Sequence, residues 1–199
     1  MLSGRLYNPA DAELTRRRSL AHGLCLKYNN TLEEQSSIRK EILDELIPNR
    51  GKGTYLQGPI FFDYGCFTTL GDYFYANFNL TVLDSCEVKI GDNVMIGPNV
   101  SLLTAVHPML YQERNIRVRS DCSTFDYEYA RPINIGSNCW LAGNVTVIGG
   151  VSIGEGCVIG AGSVVTKNIP AHSFAAGNPC RVIRPITEAD SIEFKTDLI

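Results

Sequence analysis

Three histidines are the first candidates for acid–base chemistry in this chain of 199 residues. His22 lies among arginines in a stretch with helical spacing, and His172 follows a proline in a turn, so both are expected to be packing or surface residues. His107 instead precedes Pro108 where a regular repeat gives way to an irregular segment, and functional residues concentrate on such loops. Because imidazole changes its charge close to neutral pH, His107 is the strongest of the three candidates for acid–base chemistry.

A repeat of six residues precedes and follows this segment. An aliphatic residue recurs at every sixth place, with one interruption, at Ile90, Ile96, Leu102, Ile135, Leu141, Val147, Ile153, Ile159 and Val165. The fourth residue after each is small or β-branched, as in Val94, Val100 and Val106, and glycine, asparagine and aspartate fill the positions between. A helix repeats every three to four residues and a strand every two, so a period of six fits neither alone.

Each unit is therefore interpreted as a short strand followed by a corner. Three units complete one triangular coil, and stacked coils bury a ladder of aliphatic side chains, which contributes roughly 1.5 to 3 kcal/mol per residue. This pattern predicts a mainly β fold, a parallel β-helix over residues 51–186. The coils between Leu56 and Val88 are expected to be less regular, because Leu70, Ala76 and Val82 keep the phase and a slip of two residues follows.

Residues 1–50 do not follow the repeat and are predicted to form two amphipathic helices. The first opens at residues 9–13 (PADAE), and the second opens at Thr31, whose side chain caps it while Glu34 reaches back. Their apolar faces are predicted to contain Leu14, Ala21, Leu24 and Tyr28 in the first helix and Ile38, Ile42 and Leu46 in the second. We expect this pair to cap the open end of the solenoid. A further role as a wall of an acceptor site is left open.

The repeat breaks between Leu102 and Ile133 and returns shifted by three residues, which requires a segment that leaves the solenoid. This predicted excursion, residues 108–131, is rich in arginine and tyrosine, and loops of such length in compact domains are usually functional or disordered. The final extended segment reaches residue 186. Residues 187–199 are predicted to form a polar tail.

Composition restricts the classes of function. The net charge of −3 argues against nucleic acid as a partner, because phosphate backbones require a basic surface. No apolar run approaches the ~20 residues of a membrane span and the N-terminus lacks a signal pattern, so a cytoplasmic protein is expected. The seven cysteines include no C-x-x-C pair. Cys139 and Cys157 fall in the inward column of the repeat, which is formed by the fourth residue after each aliphatic residue. They are predicted to be buried free thiols, and no metal is expected.

Four segments resemble one family of enzymes. They are residues 75–80 (YANFNL), the pair His107–Pro108, residues 159–167 (IGAGSVVTK) and residues 176–184 (AGNPCRVIR). Together they resemble the hexapeptide-repeat acetyltransferases, and within them the galactoside and maltose O-acetyltransferases. The resemblance implies a left-handed β-helix and transfer of an acetyl group from acetyl-CoA to a sugar hydroxyl. It also implies a homotrimer with active sites between neighbouring β-helices.

The same resemblance implies a set of site residues. His107 falls on the catalytic histidine of the family. The positions implied to bind the acceptor are Asp11, Arg18, Tyr75, Asn77, Asp84 and Ser85. Those implied to bind acetyl-CoA are Trp140, Gly143, Ala161, Thr166, Lys167, Arg181 and Arg184. A backbone N–H beside Gly143 is the expected oxyanion donor, and direct transfer in a ternary complex is expected because no pattern indicates an acyl-enzyme.

Several features leave the acceptor open. The family carries a second aspartate where this chain has Ser85, and Pro9 replaces an acidic contact for which Asp11 is the nearest substitute. Part of the excursion, within residues 118–129, has no clear counterpart. The alternative for the small corner residues is that they only allow the tight coil corners. The alternative for Lys167, Arg181 and Arg184 is that they only form a solvated basic surface. An antibiotic or serine acetyltransferase and a non-catalytic scaffold are therefore kept as alternatives. A zinc-dependent hydratase is disfavoured because only His107 is well placed.

Overall fold

The aliphatic residues of the repeat stack in register, which confirms the predicted parallel β-helix. In the computed structural model, which describes residues 1–194, Ile90 pairs with Leu70 on one side and with Ile135 on the other. Ile135 pairs in turn with Ile153. All four side chains are at most 4% exposed. The six-residue spacing therefore places every aliphatic residue of one sheet directly above the previous one.

Five coils of three strands each form the β-helix. The first three coils contain β1 (Asn49–Arg50), β2 (Tyr55–Leu56), β3 (Ile60–Phe62), β4 (Thr68–Leu70), β5 (Tyr75–Ala76), β6 (Leu80–Leu83), β7 (Val88–Ile90), β8 (Met95–Ile96) and β9 (Ser101–Leu103). The excursion that follows contains β10 (Ala105–Val106), α3 (Tyr111–Arg114), β11 (Arg117–Val118), β12 (Thr124–Phe125) and β13 (Tyr129–Ala130).

The last two coils and the C-terminal hairpin complete the architecture. They contain β14 (Ile133–Ile135), β15 (Trp140–Leu141), β16 (Thr146–Ile148), β17 (Ser152–Ile153), β18 (Val158–Ile159), β19 (Val164–Val165), β20 (Ser173–Ala176) and β21 (Arg181–Pro185). Two short 3₁₀ helices follow at Glu188–Asp190 and Ile192–Phe194. The predicted polar tail, residues 187–199, overlaps these helices, and its last five residues lie outside the described part of the chain.

The coils form three sheets. Sheet 1 has the order β1-β4-β7-β14-β17, sheet 2 the order β2-β5-β8-β15-β18-β20-β21, and sheet 3 the order β19-β16-β9-β6-β3. Two of the edges between sheets matter for function. The glycine edge joins sheet 2 to sheet 3 and comprises residues 57–59, 77–79, 97–99, 142–144 and 160–162. The histidine edge joins sheet 3 back to sheet 1 and comprises residues 63–67, 83–87, 103–132, 148–151 and 166–168.

Left-handed backbone conformations make the tight corners possible. Asn79, Asn99 and Asn144 have φ values of 60°, 58° and 59°, a region that asparagine tolerates better than most other residues. Their side chains also form a chain of hydrogen bonds along the glycine edge, since Asn79 Nδ2 donates to Asn99 Oδ1 (2.8 Å) and Asn99 Nδ2 donates to Asn144 Oδ1 (3.2 Å). The inward column is buried as predicted, including Cys139 and Cys157, except for Val106, which leaves the coil in β10.

The N-terminal helices cover the first coil. Helix α1 (Ala12–Asn29) begins after Asp11, whose Oδ1 accepts hydrogen bonds from the amides of Glu13 (3.0 Å) and Leu14 (3.3 Å). At its other end, Tyr28 Oη donates to Leu56 O (2.6 Å) and Asn29 exchanges two hydrogen bonds with the backbone of Ile60. These bonds satisfy polar groups of the outermost coil that stacking leaves unpaired.

The predicted start of the second helix at Thr31 is wrong. Helix α2 spans Ser36–Leu46. The hydroxyl of Thr31 donates to Tyr28 O (2.6 Å), and the side chain of Gln35 accepts from the Leu32 amide (2.7 Å), so this segment forms a turn. The buried face of α2 contains Leu46, as predicted, together with Arg39 and Leu43, and the half-buried Ile42 packs against the core. Ile38 is 46% exposed.

The excursion is held together by its own contacts. Strand β10 pairs antiparallel with β13, and β11 pairs antiparallel with β12 to form a hairpin. The Arg117 guanidinium lies over the rings of Phe125 (5.0 Å) and Tyr127 (4.6 Å), an arrangement that stabilises the hairpin through cation–π interactions. Among the helices within residues 1–194, none combines the length and apolarity that crossing a bilayer requires.

Candidate active site

His107 lies on the histidine edge, immediately after β10, and is exposed to solvent. The pairing of β10 with β13 fixes the path of the chain here, because Ala105 faces Ala130 and Val106 faces Tyr129. A histidine held by an antiparallel ladder keeps a defined position although it lies on a loop. The predicted general base is therefore accessible and anchored.

A buried polar cluster lies behind His107. Tyr7 and Glu128 exchange backbone hydrogen bonds, from Tyr7 N to Glu128 O (2.9 Å) and from Glu128 N to Tyr7 O (3.1 Å). Burial raises the pKa of the Tyr7 phenol well above its usual value, opposed by a hydrogen bond with Ser85. Burial also raises the pKa of Glu128, while a hydrogen bond from Tyr7 and the positive charge of His107 lower it. The N-terminal segment thus closes the histidine edge from outside.

Asp84 lies inside this edge and is fully buried. Its Oδ1 accepts a hydrogen bond from the Tyr64 amide (2.8 Å) and its Oδ2 accepts one from the Thr68 hydroxyl (3.0 Å). The carboxylate therefore organises the corner between β3 and β4. This geometry argues against the predicted contact between Asp84 and the acceptor, and Ser85, which is 3% exposed, is enclosed beside it.

Arg18 and Asp11 reach the same edge from the N-terminal cap. Arg18 Nη1 donates to Tyr64 Oη (3.1 Å) and its Nη2 donates to Pro9 O (3.3 Å), so the guanidinium is held at the histidine edge with its remaining donors available. The carboxylate of Asp11 is exposed and caps α1. A helix-capping role accounts for Asp11 without a ligand.

Other predicted residues line the glycine edge and the adjacent sheet 2. Tyr75 on β5 is in register with Met95, and Met95 is in register with Trp140 on β15, so the two aromatic side chains lie two strands apart on one face. Asn77, Gly143 and Ala161 follow β5, β15 and β18 at three corners of this edge, and the corner at residues 97–99 lies between the first two. Together they form a shallow row of small and polar residues along this edge.

The amides of Gly143 and Ala161 stand out within this row, because neither forms a hydrogen bond within residues 1–194. The neighbouring amides are used in the ladder, since Ala142 N donates to Ile159 O (2.9 Å) and Asn144 N donates to Pro98 O (2.8 Å). Within residues 1–194, the Gly143 N–H forms no hydrogen bond. A Cβ at this position would lie 3.4 Å from the Pro98 ring, so glycine also keeps the corner shallow. The Gly143 N–H is therefore one of two unpaired donors on this edge, and it is the one at the corner where the resemblance implies the oxyanion donor.

The basic residues predicted to bind phosphates are divided between two places. Thr166 and Lys167 follow β19 on the histidine edge, and Lys167 is exposed. Arg181 and Arg184 lie on β21 at the end of sheet 2. Arg184 is already paired, because its Nη1 and Nη2 donate to the two carboxylate oxygens of Asp190 at 2.8 and 2.6 Å. A phosphate at Arg184 has to compete with this carboxylate.

One chain does not bring all these residues together. His107 and Lys167 belong to the histidine edge and Arg18 is bound to it through Tyr64, whereas Asn77 and Gly143 belong to the glycine edge. The two edges are separated by the width of sheet 3, about five residues of extended chain or roughly 15 Å. Each edge therefore carries only part of the predicted site.

Sequence reasoning did not identify Glu128, Tyr7 and Asp63 as parts of the histidine edge. Asp63 is half-buried and lies 3.5 Å from His22 Nε2. The contact between Tyr7 and Glu128 joins residues far apart in the sequence, and only the register of the excursion reveals it. No cluster of three or more histidine, cysteine, aspartate or glutamate side chains suited to a metal ion occurs in the described part of the chain.

The comparisons with known proteins agree with this architecture. Residues 1–51 match the family model described as the maltose acetyltransferase hexapeptide capping motif, and residues 132–167 match the bacterial transferase hexapeptide (six repeats). The chain is 38% identical over 188 residues to the galactoside O-acetyltransferase of Escherichia coli (strain K12), covering 94% of this chain and 88% of that protein.

Two solved structures extend the comparison. A maltose O-acetyltransferase from Clostridium difficile 630 superposes with a TM-score of 0.85 at 42% identity, covering 94% of this chain and 95% of that chain. A galactoside acetyltransferase in complex with coenzyme A superposes with a TM-score of 0.85 at 38% identity, covering 94% and 90%. The fold and the corner residues define a hexapeptide-repeat transferase. The chain belongs to the family of the maltose and galactoside O-acetyltransferases.

Burial of Asp84 makes a prediction for stability. Burial raises the pKa of Asp84 from 3.8 to about 6, against hydrogen bonds from the Tyr64 and Gly65 amides and from Thr68 that favour the charged form. Between these pH values the Asp84 carboxyl is protonated in the folded protein and ionised in the unfolded chain. The stabilisation of the folded state by this bound proton is therefore lost as the pH rises through about 6.

The melting temperatures of the wild type and Asp84→Asn are therefore to be compared from about pH 4.5 to pH 7.5. Asparagine keeps one carbonyl acceptor and never ionises. We expect the wild type to lose stability relative to the variant as the pH rises. A wild-type advantage that grows with pH shows instead that the hydrogen bonds outweigh burial.

Proposed function

We propose that this protein transfers the acetyl group of acetyl-CoA to a hydroxyl of a sugar, with a maltose-, glucose- or galactoside-like acceptor. The observation that carries this proposal is the end-to-end similarity to galactoside and maltose O-acetyltransferases, one of which was solved with coenzyme A. The exposed His107 on the histidine edge and the small residues Gly143 and Ala161 on the glycine edge support the proposal. Antibiotics and serine are the alternative acceptors.

In this proposal His107 is the general base. A sugar hydroxyl is too weak an acid to attack a thioester unaided, so the imidazole removes its proton as the new C–O bond forms. The tetrahedral intermediate then collapses, the C–S bond breaks, and His107 returns the proton to the departing sulfur of coenzyme A. Transfer is direct, in a complex that holds both substrates.

The glycine edge supplies the coenzyme side. The free amide of Gly143 donates to the oxyanion of the intermediate, a type of interaction whose loss typically costs about 10²–10³ in kcat. The pantetheine arm runs along the small residues Gly143 and Ala161 beside Trp140. Thr166, Lys167, Arg181 and Arg184 provide the hydroxyl and cations for the phosphates. Tyr75, Asn77 and Arg18 contact the sugar, with Asp11 as a secondary candidate.

We further propose that the enzyme is a homotrimer in the cytoplasm. Since one chain carries the base and the coenzyme row on edges roughly 15 Å apart, a complete site requires the histidine edge of one subunit to face the glycine edge of the next. The seven cysteines are all unpaired thiols, which fits a reducing compartment.

The catalytic role of His107 is tested with acetyl-CoA and a panel of acceptors, following thiol release. The panel contains galactosides, glucosides, maltose, serine and chloramphenicol. We expect release that depends on a sugar, and a loss of about 10²–10⁴ in kcat in His107→Ala with little change in acetyl-CoA affinity. The control is His22→Ala, which removes a histidine that is 57% exposed.

The other outcomes are informative. Release only with serine or chloramphenicol assigns a different acceptor to the same chemistry. A burst of coenzyme A without acceptor points to an acyl-enzyme and contradicts direct transfer. If acetyl-CoA does not bind, the proposed function is wrong and the protein is a scaffold.

The shared site is tested by mixing two inactive variants. His107→Ala disables the histidine edge, and Ala161→Phe blocks the coenzyme row from an exposed position of the glycine edge. If each site uses the two edges of different subunits, trimers coexpressed from equal amounts of both chains regain about a quarter of the wild-type sites. If each site belongs to one chain, the mixture stays inactive. The number of subunits is measured by light scattering against the chain mass of 21.9 kDa.

A further inference from the structure

Glu128 lies opposite His107 in the antiparallel ladder of the excursion. Ala105 pairs with Ala130 and Val106 pairs with Tyr129, so the next position of the same register sets His107 against Glu128. Residues directly opposite in antiparallel strands point to the same face, with Cβ atoms about 4.5–5.5 Å apart. The pairing that anchors the proposed base therefore also brings the backbone of Glu128 close to it, although the two side chains form no direct hydrogen bond or ion pair in the described structure.

This carboxylate is buried, whereas the histidine is exposed. Glu128 is 8% exposed, and the N-terminal segment covers it through the backbone bridge with Tyr7. Glutamate is seldom buried unless it has partners, since removing its charge from water costs free energy. A backbone bridge alone does not require a carboxylate, because any residue provides the N–H and C=O groups. The side chain at position 128 thus needs a reason of its own.

The groups around Glu128 define its electrostatic setting. His107 and Asp126 face it from the excursion, Tyr7 from the N-terminal segment, and Asp63 from the corner after β3. Tyr7 donates a hydrogen bond and His107 provides the one favourable charge, while the two aspartates are repulsive. Burial raises the pKa of Glu128, and His107 and Tyr7 oppose this effect. Among these groups, a positive charge on His107 is the one that favours the ionised carboxylate through charge.

We propose that Glu128 is a positioning residue for His107, whose buried carboxylate stabilises the imidazolium that forms when His107 takes the acceptor's proton. This inference rests on the proposed acetyl transfer. The proton moves from the acceptor hydroxyl to the imidazole and then to the thiolate, and Glu128 exchanges no proton. Tyr7 holds the carboxylate in place, and Ser85 supports Tyr7. The predicted acceptor residue Ser85 thereby takes a role behind the base.

The test begins with the titration of the histidines, which requires no activity. The chain has only three, so labelled imidazoles of His22, His107 and His172 can be followed separately by NMR. In Glu128→Gln the titration midpoint of His107 is expected to move to lower pH, because a neighbouring negative charge is lost. The midpoints of His22 and His172 are expected to stay.

Two further variants separate charge from structure. In Glu128→Gln, glutamine keeps an acceptor for the Tyr7 hydroxyl, so the fold is expected to persist. In Glu128→Asp the negative charge is retained, so most of the effect of the carboxylate on the His107 midpoint is expected to remain. The matched control is Asp126→Asn, which removes a half-buried carboxylate from the same segment. In the extended register Asp126 lies opposite Met109, so it is expected to move the His107 midpoint much less than Glu128→Gln.

Kinetics then measure the catalytic consequence. Glu128→Gln is expected to lower kcat roughly ten- to a hundredfold, to move the acidic limb of the kcat/KM profile to lower pH, and to leave KM for acetyl-CoA unchanged. Equal midpoints and equal pH profiles for Glu128→Gln and the wild type overturn the inference while the acetyl transfer stands. If the wild type transfers acetyl to no acceptor, the proposed function and the catalytic role of Glu128 both fall.

Discussion

The stacking of aliphatic side chains in register is the constraint on which the rest of the molecule depends. Since Leu70, Ile90, Ile135 and Ile153 lie above one another, the corners between the strands also lie in straight rows. A row of corners offers backbone amides and small side chains at a spacing of about 4.8 Å, which suits a long, thin ligand. The same stacking that stabilises the fold therefore provides the track along the glycine edge.

The rigid β-helix restricts how a site can be assembled, because the edges of one chain cannot approach each other. His107 and the small residues of the glycine edge are kept apart by sheet 3, and no change of side-chain rotamer closes a gap of roughly 15 Å. Symmetric association solves this problem without deforming any coil. The excursion contributes in a different way, since its antiparallel ladder fixes the backbone next to His107 and its strand is joined to the N-terminal segment through Glu128 and Tyr7.

The sequence predicted most of the β-helix, because its periodicity is a local property that burial alone explains. The slip between Val82 and Ile90 and the exit after Leu103 were also visible as breaks of the same pattern. The start of α2 could not be predicted in this way, since Thr31 satisfies both a capping pattern and a turn, and the carbonyl of Tyr28 decides between them. The resemblance to the acetyltransferase family implied that Asp84 contacts a ligand, whereas its burial and its hydrogen bonds with Tyr64 and Thr68 indicate a corner residue. Glu128 was missed because its partners are set by strand register and by a contact with Tyr7, both of which are non-local.

The central claim is that acetyl transfer takes place between two subunits, with His107 of one copy and Gly143 of the next on either side of the thioester. A crystal structure of the protein with coenzyme A tests it most directly. We expect the coenzyme sulfur to lie about 3 to 4 Å from a His107 imidazole, with the Gly143 amide of the other subunit beside it. A sulfur placed far from every His107, or a site in which His107 and Gly143 come from one chain, contradicts the account.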